Sequence, residues 1–370
     1  MQVEVLPAAA LGDVEAERWR RALAEDGRPV HPLLSPDFAA AVGRIRPGAG
    51  VAVLRAGDRH GWLAFEPRGR GVGEVVGKGF TDVGGLPAEP GLPRPDYRQV
   101  LRACGLAVWR VVQADPGAGP LAEAASAGGA PPGTRVLGHV SNPVIDLGTG
   151  YQAYLAHLRR HAPASLRTVR KHERRLSRDA APVRYVFEER DPRPLEVMLR
   201  WKSAQYRASG WTDPLASVRG RDLARSLAAL RSPGCTGAVS VLYVGDEPAA
   251  IALTLRSQNA MTCCITSYNQ RHAAHSPGTL LLGRIIESAA GLGLTRVDLG
   301  EGDQEYKRAQ MTEQLALPHG LLWRPGVTAA ACLARDTAGV AARDFITSRP
   351  RLRSGTRAVL RRYGALRGGA

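Results

Sequence analysis

Lysine is nearly missing from this chain. Of its 50 basic residues only Lys78, Lys171, Lys202 and Lys307 are lysine, so arginine supplies the other 46. A GC-rich coding bias accounts for part of that. Aromatic residues are scarce too, at 5%, and they are not interleaved with the basic residues as a base-stacking groove requires. No apolar run reaches the roughly 18–20 residues of a membrane span. The start, MQVEVLPAAALGDVE, lacks the basic opening and long apolar centre of a secretion signal. The five cysteines are an odd number without a Cys-x-x-Cys spacing. Cys263 and Cys264 adjoin in a predicted strand, so alternation turns them to opposite faces and away from a shared metal. The expectation is no metal and reduced thiols in a cytoplasmic protein.

What is present is a globular composition. The 370 residues are 44% hydrophobic and 23% charged, enough for two domains. The net charge of +16 is local. Residues 159–178 hold eight Arg/Lys against one Glu, and residues 331–370 hold nine Arg against two Asp. An anionic partner is expected near those stretches.

In the first half, hydrophobic patterning predicts strands at 2–5, 51–55, 60–66, 71–77 and 106–113, with helices at 14–25, 36–42 and 97–104. Asp82, ahead of Gly84-Gly85, reads either as a ligand contact or, as is usual for an Asp in a glycine-rich turn, as a turn residue. Residues 114–134, rich in Ala, Gly and Pro, read as a surface excursion.

In the second half a strand at 142–147 leads to a helix at 151–160, broken by Pro163. A helix at 165–178, capped by Ser165, carries Arg167, Arg170, Lys171, Arg174, Arg175 and Arg178 at steps of three and four, one cationic face. Such a face is either simply solvated or a docking surface for carrier phosphates, an acidic carrier protein or RNA. Helices at 195–209 and 219–230 follow, then three strands at 237–244, 249–256 and 261–268. The last delivers into a polar loop ending Ser276-Pro277-Gly278. The helix at 279–290 opens with unpaired N–H groups and the positive end of its dipole. Pro277 has no N–H to lose there, and Gly278 lets a ligand approach. A phosphate or pyrophosphate is the natural guest, and an ordinary βαβ unit with a proline-started helix is the other reading of the same residues. A strand at 294–299, another at 320–323 and an arginine-rich helical tail complete the chain.

Several of these pieces resemble one family. Ser267-Tyr268-Asn269, Ser276-Pro277-Gly278 with Leu280-Leu281-Leu282, Val297-Asp298-Leu299 and Gly302-Asp303-Gln304-Glu305-Tyr306-Lys307 are similar to the GNAT acyltransferase superfamily in its CelD-type, Fem-like branch. The resemblance covers about residues 1–325 and is weaker in the first half. It implies an α/β (α+β) fold of two tandem GNAT-like domains, each a mixed, mostly antiparallel sheet flanked by helices. Residues 1–147 would be a degenerate N-terminal domain that shapes the cleft, 148–327 the catalytic domain, and 328–370 an Arg-rich helical tail. The family's pyrophosphate loop is richer in glycine and led by Arg or Gln. Here Arg271 lies upstream and Gly278 stands alone, so the acyl donor stays open between acyl-CoA and a phosphopantetheine-linked acyl carrier protein.

The implied reaction is N-acyl transfer from a thioester to an amine of a small molecule or peptide. The family setting suggests bacterial specialised metabolism by analogy. Candidate carrier contacts are Ser267, Tyr268, Arg271, His275, Ser276, Gly278, Thr279 and Lys307. Backbone N–H groups near Ser267-Tyr268 would meet the thioester oxygen as it becomes negative. Glu301 or Asp303 would take the amine proton, with His275 a further option. Tyr306 would protonate the leaving thiolate, its phenol ordinarily near ~10. Trp201, Tyr206, Trp211 and Asp298 are the candidate acceptor contacts, and aromatics at that spacing also suit a core. Arg167, Arg170, Lys171 and Arg174 would dock the carrier. Ser267, His31 and the acids form no nucleophile triad. An aminoacyl-tRNA-dependent Fem-like transferase is the alternative. A non-catalytic nucleic-acid-binding protein is a third, against which stand the missing helix-turn-helix and zinc spacings.

Overall fold

Each half of the chain builds the same arrangement. In the first, Gly50–Ala56, Arg59–Pro67 and Val72–Val75 form an antiparallel meander. Val72–Val75 then runs parallel to Val108–Val111 through a crossover containing the Tyr97–Ala103 helix. In the second, Cys235–Val244, Glu247–Arg256 and Ala260–Tyr268 form the meander. Ala260–Tyr268 runs parallel to Arg296–Asp298 through the Pro277–Gly291 helix. This is a computed structural model, and it describes residues 1–25, 27–117, 119–126, 131–179, 181–302 and 304–347.

The two halves meet at the longest strands, Thr134–Asp146 and Glu313–Trp323, which pair with each other antiparallel. The first also borders Arg296–Asp298 and the second Val108–Val111, so among the described residues one 13-stranded sheet runs from end to end. Patterning predicts only 142–147 and 320–323 of this pair. Pro143 and Pro318 lie within the pair, opposite Gln314 and His139. A proline costs a ladder only its one missing donor, and here the neighbouring pairs carry the strands past it.

Proline also starts helices that the sequence was expected to start later. Pro163, expected as a break, is the first residue of the basic helix Pro163–Asp179, with Leu166 N–H bonded to Ala162 O at 3.1 Å. Pro192 opens Pro192–Ser209, capped by Asp191. Both fit the first helical position, where an N–H would be orphaned. The excursion at 114–134 contains a short helix, Pro120–Ser126, anchored by buried Leu121.

Two cores sandwich the second half's meander. On one face Leu195, Met198, Leu199, Leu223 and Leu227 pack against Val239, Val241, Ile251, Leu253 and Ile265, continuous with Phe38, Val42 and Trp19 of the first half. On the other, Leu280, Leu281, Ile285 and Ile286 pack against Ile145, Leu242, Ala250, Ala252 and Val297. These helical residues recur at three- and four-residue steps, which buries one face of each helix.

A polar clamp fastens the halves. Asn259, in the turn before Ala260–Tyr268, accepts from Val30 N–H at 2.8 Å and donates to Arg28 O at 3.1 Å. Ser257 Oγ donates to Val30 O at 2.7 Å. The clamp delivers the next residue, His31, to the second half. Asn259→Ala removes two bonds to backbone, one part-buried at Val30 and one exposed at Arg28, and should lower unfolding stability by about 1–2 kcal/mol. A urea midpoint identical to wild type would show that these bonds do not hold the segment.

Candidate active site

The parallel pairing of Ala260–Tyr268 with Arg296–Asp298 lasts for three residue pairs and ends at Thr262–Asp298. Beyond it the second strand's continuation follows its other neighbour, Leu299 N–H bonding to Pro143 O and Gly302 N–H to Ser141 O. Asp298 pins the divergence. Its Oδ1 accepts from Gly300 N–H at 2.7 Å, where Gly300 turns at φ 71°, and its Oδ2 accepts from Asn142 Nδ2 at 2.7 Å. Lys307 fixes the next turn, its Nζ donating to the carbonyls of Gly300 and Glu301 at 3.1 and 2.8 Å. The sheet therefore opens a V. Asn269 N–H bonds to Ala249 O across the ladder, so strand alternation turns the amides of Thr266 and Tyr268 into the V.

A cavity of about 450 Å³ runs through this opening. Cys263 packs with the core on the Pro277–Gly291 side and Cys264 with the core on the Pro192–Ser209 side. Both line the cavity, so it reaches from one face of the sheet to the other. One wall is the start of the Pro277–Gly291 helix, at Gly278, Leu281 and Leu282. Ser276 precedes it at φ 49° without a side-chain cap, and the Gly278 amide has no acceptor among the described residues. A Cβ on Gly278 would touch only Tyr268 Cδ1, at 3.6 Å. The space above that amide is thus open to a guest, at the end of the helix where backbone N–H groups favour an anion. The opposite wall combines Lys202, Tyr206 and Trp211 with Phe80, Thr81, Asp82 and Gln113 from the first half.

The first half offers no such opening. There the gap between Val75 and Val111 is occupied by Gly84, whose Cβ, if it had one, would collide with Val75 and sit 3.3 Å from Val111 Cγ1. The matching helix start is capped by Asp96, which accepts from Arg98 N–H at 3.0 Å. A carboxylate at that position repels a phosphate.

Desolvation dominates protonation in the cavity. Burial pushes the Tyr306 phenol up to about 12, with Cys263 adding to it. It raises the Cys263 thiol to about 12 and Cys264 well above its usual value. It also lowers Lys202 and Lys307. Burial alone would raise Asp298 as well, but His31, Gly300 and Asn142 together hold its carboxyl below the ordinary range. His31 Nδ1 accepts from Leu33 N–H, which leaves the proton on Nε2, 3.6 Å from Asp298 Oδ2.

Of the sequence candidates, the cavity gathers Tyr206, Trp211, Gly278, Asp298, Glu301, Tyr306 and Lys307. Tyr306 is 41% exposed at the cavity surface. Ser267 is buried and Tyr268 exposed in the part of their strand that still pairs with Glu247–Arg256 but has left Arg296–Asp298. Arg271 and His275 lie in a 3-10 turn, Gln270–His275, that leads to Ser276. Thr279 N–H bonds back to Ser276 O. Trp201 packs against the core instead of lining the cavity. Asp303 and the side chain of Arg170 lie outside the described residues. Arg167, Lys171 and Arg174 are exposed on a helix joined to the site through Glu173–Arg284, at 2.6 Å, and an edge-on His172–His275 contact. Sequence reasoning missed Phe80, Thr81, Gln113, Lys202 and the His31–Asp298 contact. The first three and His31 arrive through long-range packing that no local pattern marks. The rarity of lysine was the one signal for Lys202.

Among the described residues no group of His, Cys, Asp or Glu is placed to hold a metal ion. No helix among them is long and apolar enough to cross a membrane. Residues 164–308 match the acetyltransferase (GNAT) domain family. No curated protein matches the sequence. Among solved structures, FemX aligns with a TM-score of 0.53 at 9% identity, over 88% of this chain and 96% of its own. The C-terminal domain assigned to a lysylphosphatidylglycerol synthetase of Agrobacterium fabrum aligns at 0.51 and 14%, over 86% and 96%. A conserved protein of unknown function from Bacteroides thetaiotaomicron aligns at 0.51 and 10%, over 87% and 100%. At such identities the likeness is one of fold, and it extends over both halves. The domain match assigns residues 164–308 to the acetyltransferase (GNAT) domain family, and the likeness of fold to FemX and to the synthetase domain takes in the first half as well.

Proposed function

We propose that the chain moves an acyl group from a thioester donor to an amine inside the cavity between the parted strands. The observation that carries this reading is the passage through the sheet. A carrier tail reaches it past the uncapped helix start at Gly278, and an amine reaches it from the Lys202–Trp211 side. The amides of Thr266 and Tyr268 supply donors along the tail and near the carbonyl. Tyr306 protonates the departing thiolate. Glu301, at the cavity wall, takes the proton from the amine, while Asp298 is engaged by Asn142 and Gly300 and acts as a positioning residue. Lys307 holds the turn that carries Glu301.

Acyl-CoA is the simplest donor. Incubation with a mixed acyl-CoA pool and an amine panel should release thiol only when an amine is present, with the acyl group found on the amine by mass spectrometry. Absence of acyl-CoA binding by calorimetry, together with no thiol release from a loaded carrier protein and no deacylation of a charged tRNA, would overturn the reading.

Tyr306→Phe should lower kcat by on the order of 10²-fold or more, with an unchanged circular dichroism spectrum. Because the phenol is raised to about 12, its protonated form persists through the alkaline range. Wild-type kcat should therefore show no falling limb from this group up to about pH 10. Unchanged turnover in Tyr306→Phe would remove the phenol from the reaction.

A polyanionic carrier, either an acidic acyl carrier protein or a tRNA, is a second reading. It is favoured by the position of the cationic Pro163–Asp179 helix against the Gln270–His275 turn. Arg167→Glu with Lys171→Glu should raise KM for a carrier-borne donor about tenfold and leave KM for free acyl-CoA within about twofold. RNA binding should weaken steeply with salt. Equal KM values for every donor would make the helix a solvated face.

A further inference from the structure

Lysine's distribution in this arginine-rich chain is not random in space. Lys202 and Lys307 both line the cavity, and Lys78 pairs with Asp82, a residue of its wall. An ammonium is a compact point charge whose protonation responds to its surroundings, whereas a guanidinium is neither.

The two cavity lysines are used differently. Lys307 is committed to two backbone carbonyls. Lys202 Nζ donates to a single carbonyl, Thr266 O at 3.2 Å, and lies 5.2 Å from the centre of the Tyr206 ring. Among the described residues no carboxylate stands within ion-pair distance of it. The acids nearby are already engaged, Asp82 by Lys78 and Asp213 by Ser203 and the Leu215 amide. Burial disfavours the charged form of Lys202, and the charge of Lys307 acts in the same direction. A desolvated cation without a counter-ion is costly to keep. An anion brought by the substrate would remove that cost.

A second observation lies in the same cavity. Gln113, from the first half, is only 4% exposed, and its Oε1 has no hydrogen-bond partner. A buried amide oxygen left unpaired at a cavity wall is an acceptor waiting for an N–H. Tyr206 and Trp211, with ring centres 6.4 Å apart, add a flat apolar wall.

We propose that the amine substrate carries a carboxylate that pairs with Lys202, so that the acceptor belongs to the class of amino acids or peptides with a free terminal carboxylate. The pairing rests on the acyl-transfer reading for its role but not for its detection. One ammonium matches one negative charge, which suits a carboxylate and leaves a phosphate dianion half compensated. Gln113 Oε1 accepts from an N–H of the same molecule. Lys202 is then a specificity-determining residue, and the mouth opposite Gly278 is the acceptor's.

The test needs no donor and no turnover. N-acetylglycine, its neutral partner N-acetylglycinamide and glycerol 3-phosphate are titrated into the full chain by calorimetry, with acetyl-CoA binding measured separately. The acid should bind at least tenfold more tightly than the amide. Lys202→Met, which keeps the length of the stem, should abolish that preference, and Lys202→Arg should retain most of it. A protein labelled with ¹³C at lysine Cε gives a further readout without mutation. Its four lysine signals should include one, from Lys202, that moves with the acid and not with the amide. Equal binding of acid and amide overturns the proposal. So does a preference that survives Lys202→Met, tighter binding of the phosphate ester, or an unmoved Lys202 signal. An intact acid preference in a protein that neither binds an acyl-CoA nor discharges a loaded carrier protein or a charged tRNA would instead remove the acyl-transfer reading alone.

Discussion

Two neighbouring strands part after three residue pairs, and most of what is distinctive in this molecule follows from that. A parallel ladder left to itself continues until a chain runs out of partners. Here Asp298 and Lys307 draw one strand aside, by holding Gly300 and the turn after it. The opening exposes amides to one side, gives two adjacent cysteines on opposite faces a common cavity, and sets Tyr306 at its edge. Asp298 is a buried charge kept by three contacts rather than by solvent. Removing any of them leaves a carboxylate that the surroundings no longer support. The pin and the opening are therefore one structural element.

Comparison of the halves shows why one opens and the other does not. Both have the meander, the parallel pair and the crossover helix. In the first half the chain at Val83–Gly84 lies in the gap, and Asp96 caps the helix. The same segment, a few residues earlier, presents Phe80, Thr81 and Asp82 to the cavity of the other half. Residues that close one opening thus wall the other. The Asn259 clamp and the shared core hold the halves in the register that this requires.

The meander and the crossover helix of the second half were legible because their periodicity is strong. Leu281, Leu282, Ile285 and Ile286 repeat at helical spacing, and the three strands are nearly continuous apolar runs. The central pair was legible only at its ends. Its middle carries His139, Asn142, Pro143 and Pro318, and the partner strand, rather than alternation, determines its course. On the cavity wall the reading selected Trp201 and passed over Lys202. Adjacent residues on a helix point about 100° apart. A helix known only from its sequence does not reveal which of two neighbours faces the gap. The contributions of the first half were beyond reach for a simpler reason: Gln113 and His31 are far from the site in sequence and are brought there by packing alone.

The ionisable groups around the gap carry one further consequence. Burial raises Tyr306, Cys263 and Cys264 and lowers Lys202 and Lys307, so every one of them is displaced toward its neutral form. Asp298, with three partners, is displaced the other way, toward its charged form. An amine entering this space meets the same desolvation, which favours its uncharged, nucleophilic state. The base then needs to remove only the proton released when the new bond forms. On the proposed reading that base is Glu301, at the cavity wall. The environment that prepares the amine is the same one that leaves Lys202 in want of an anion.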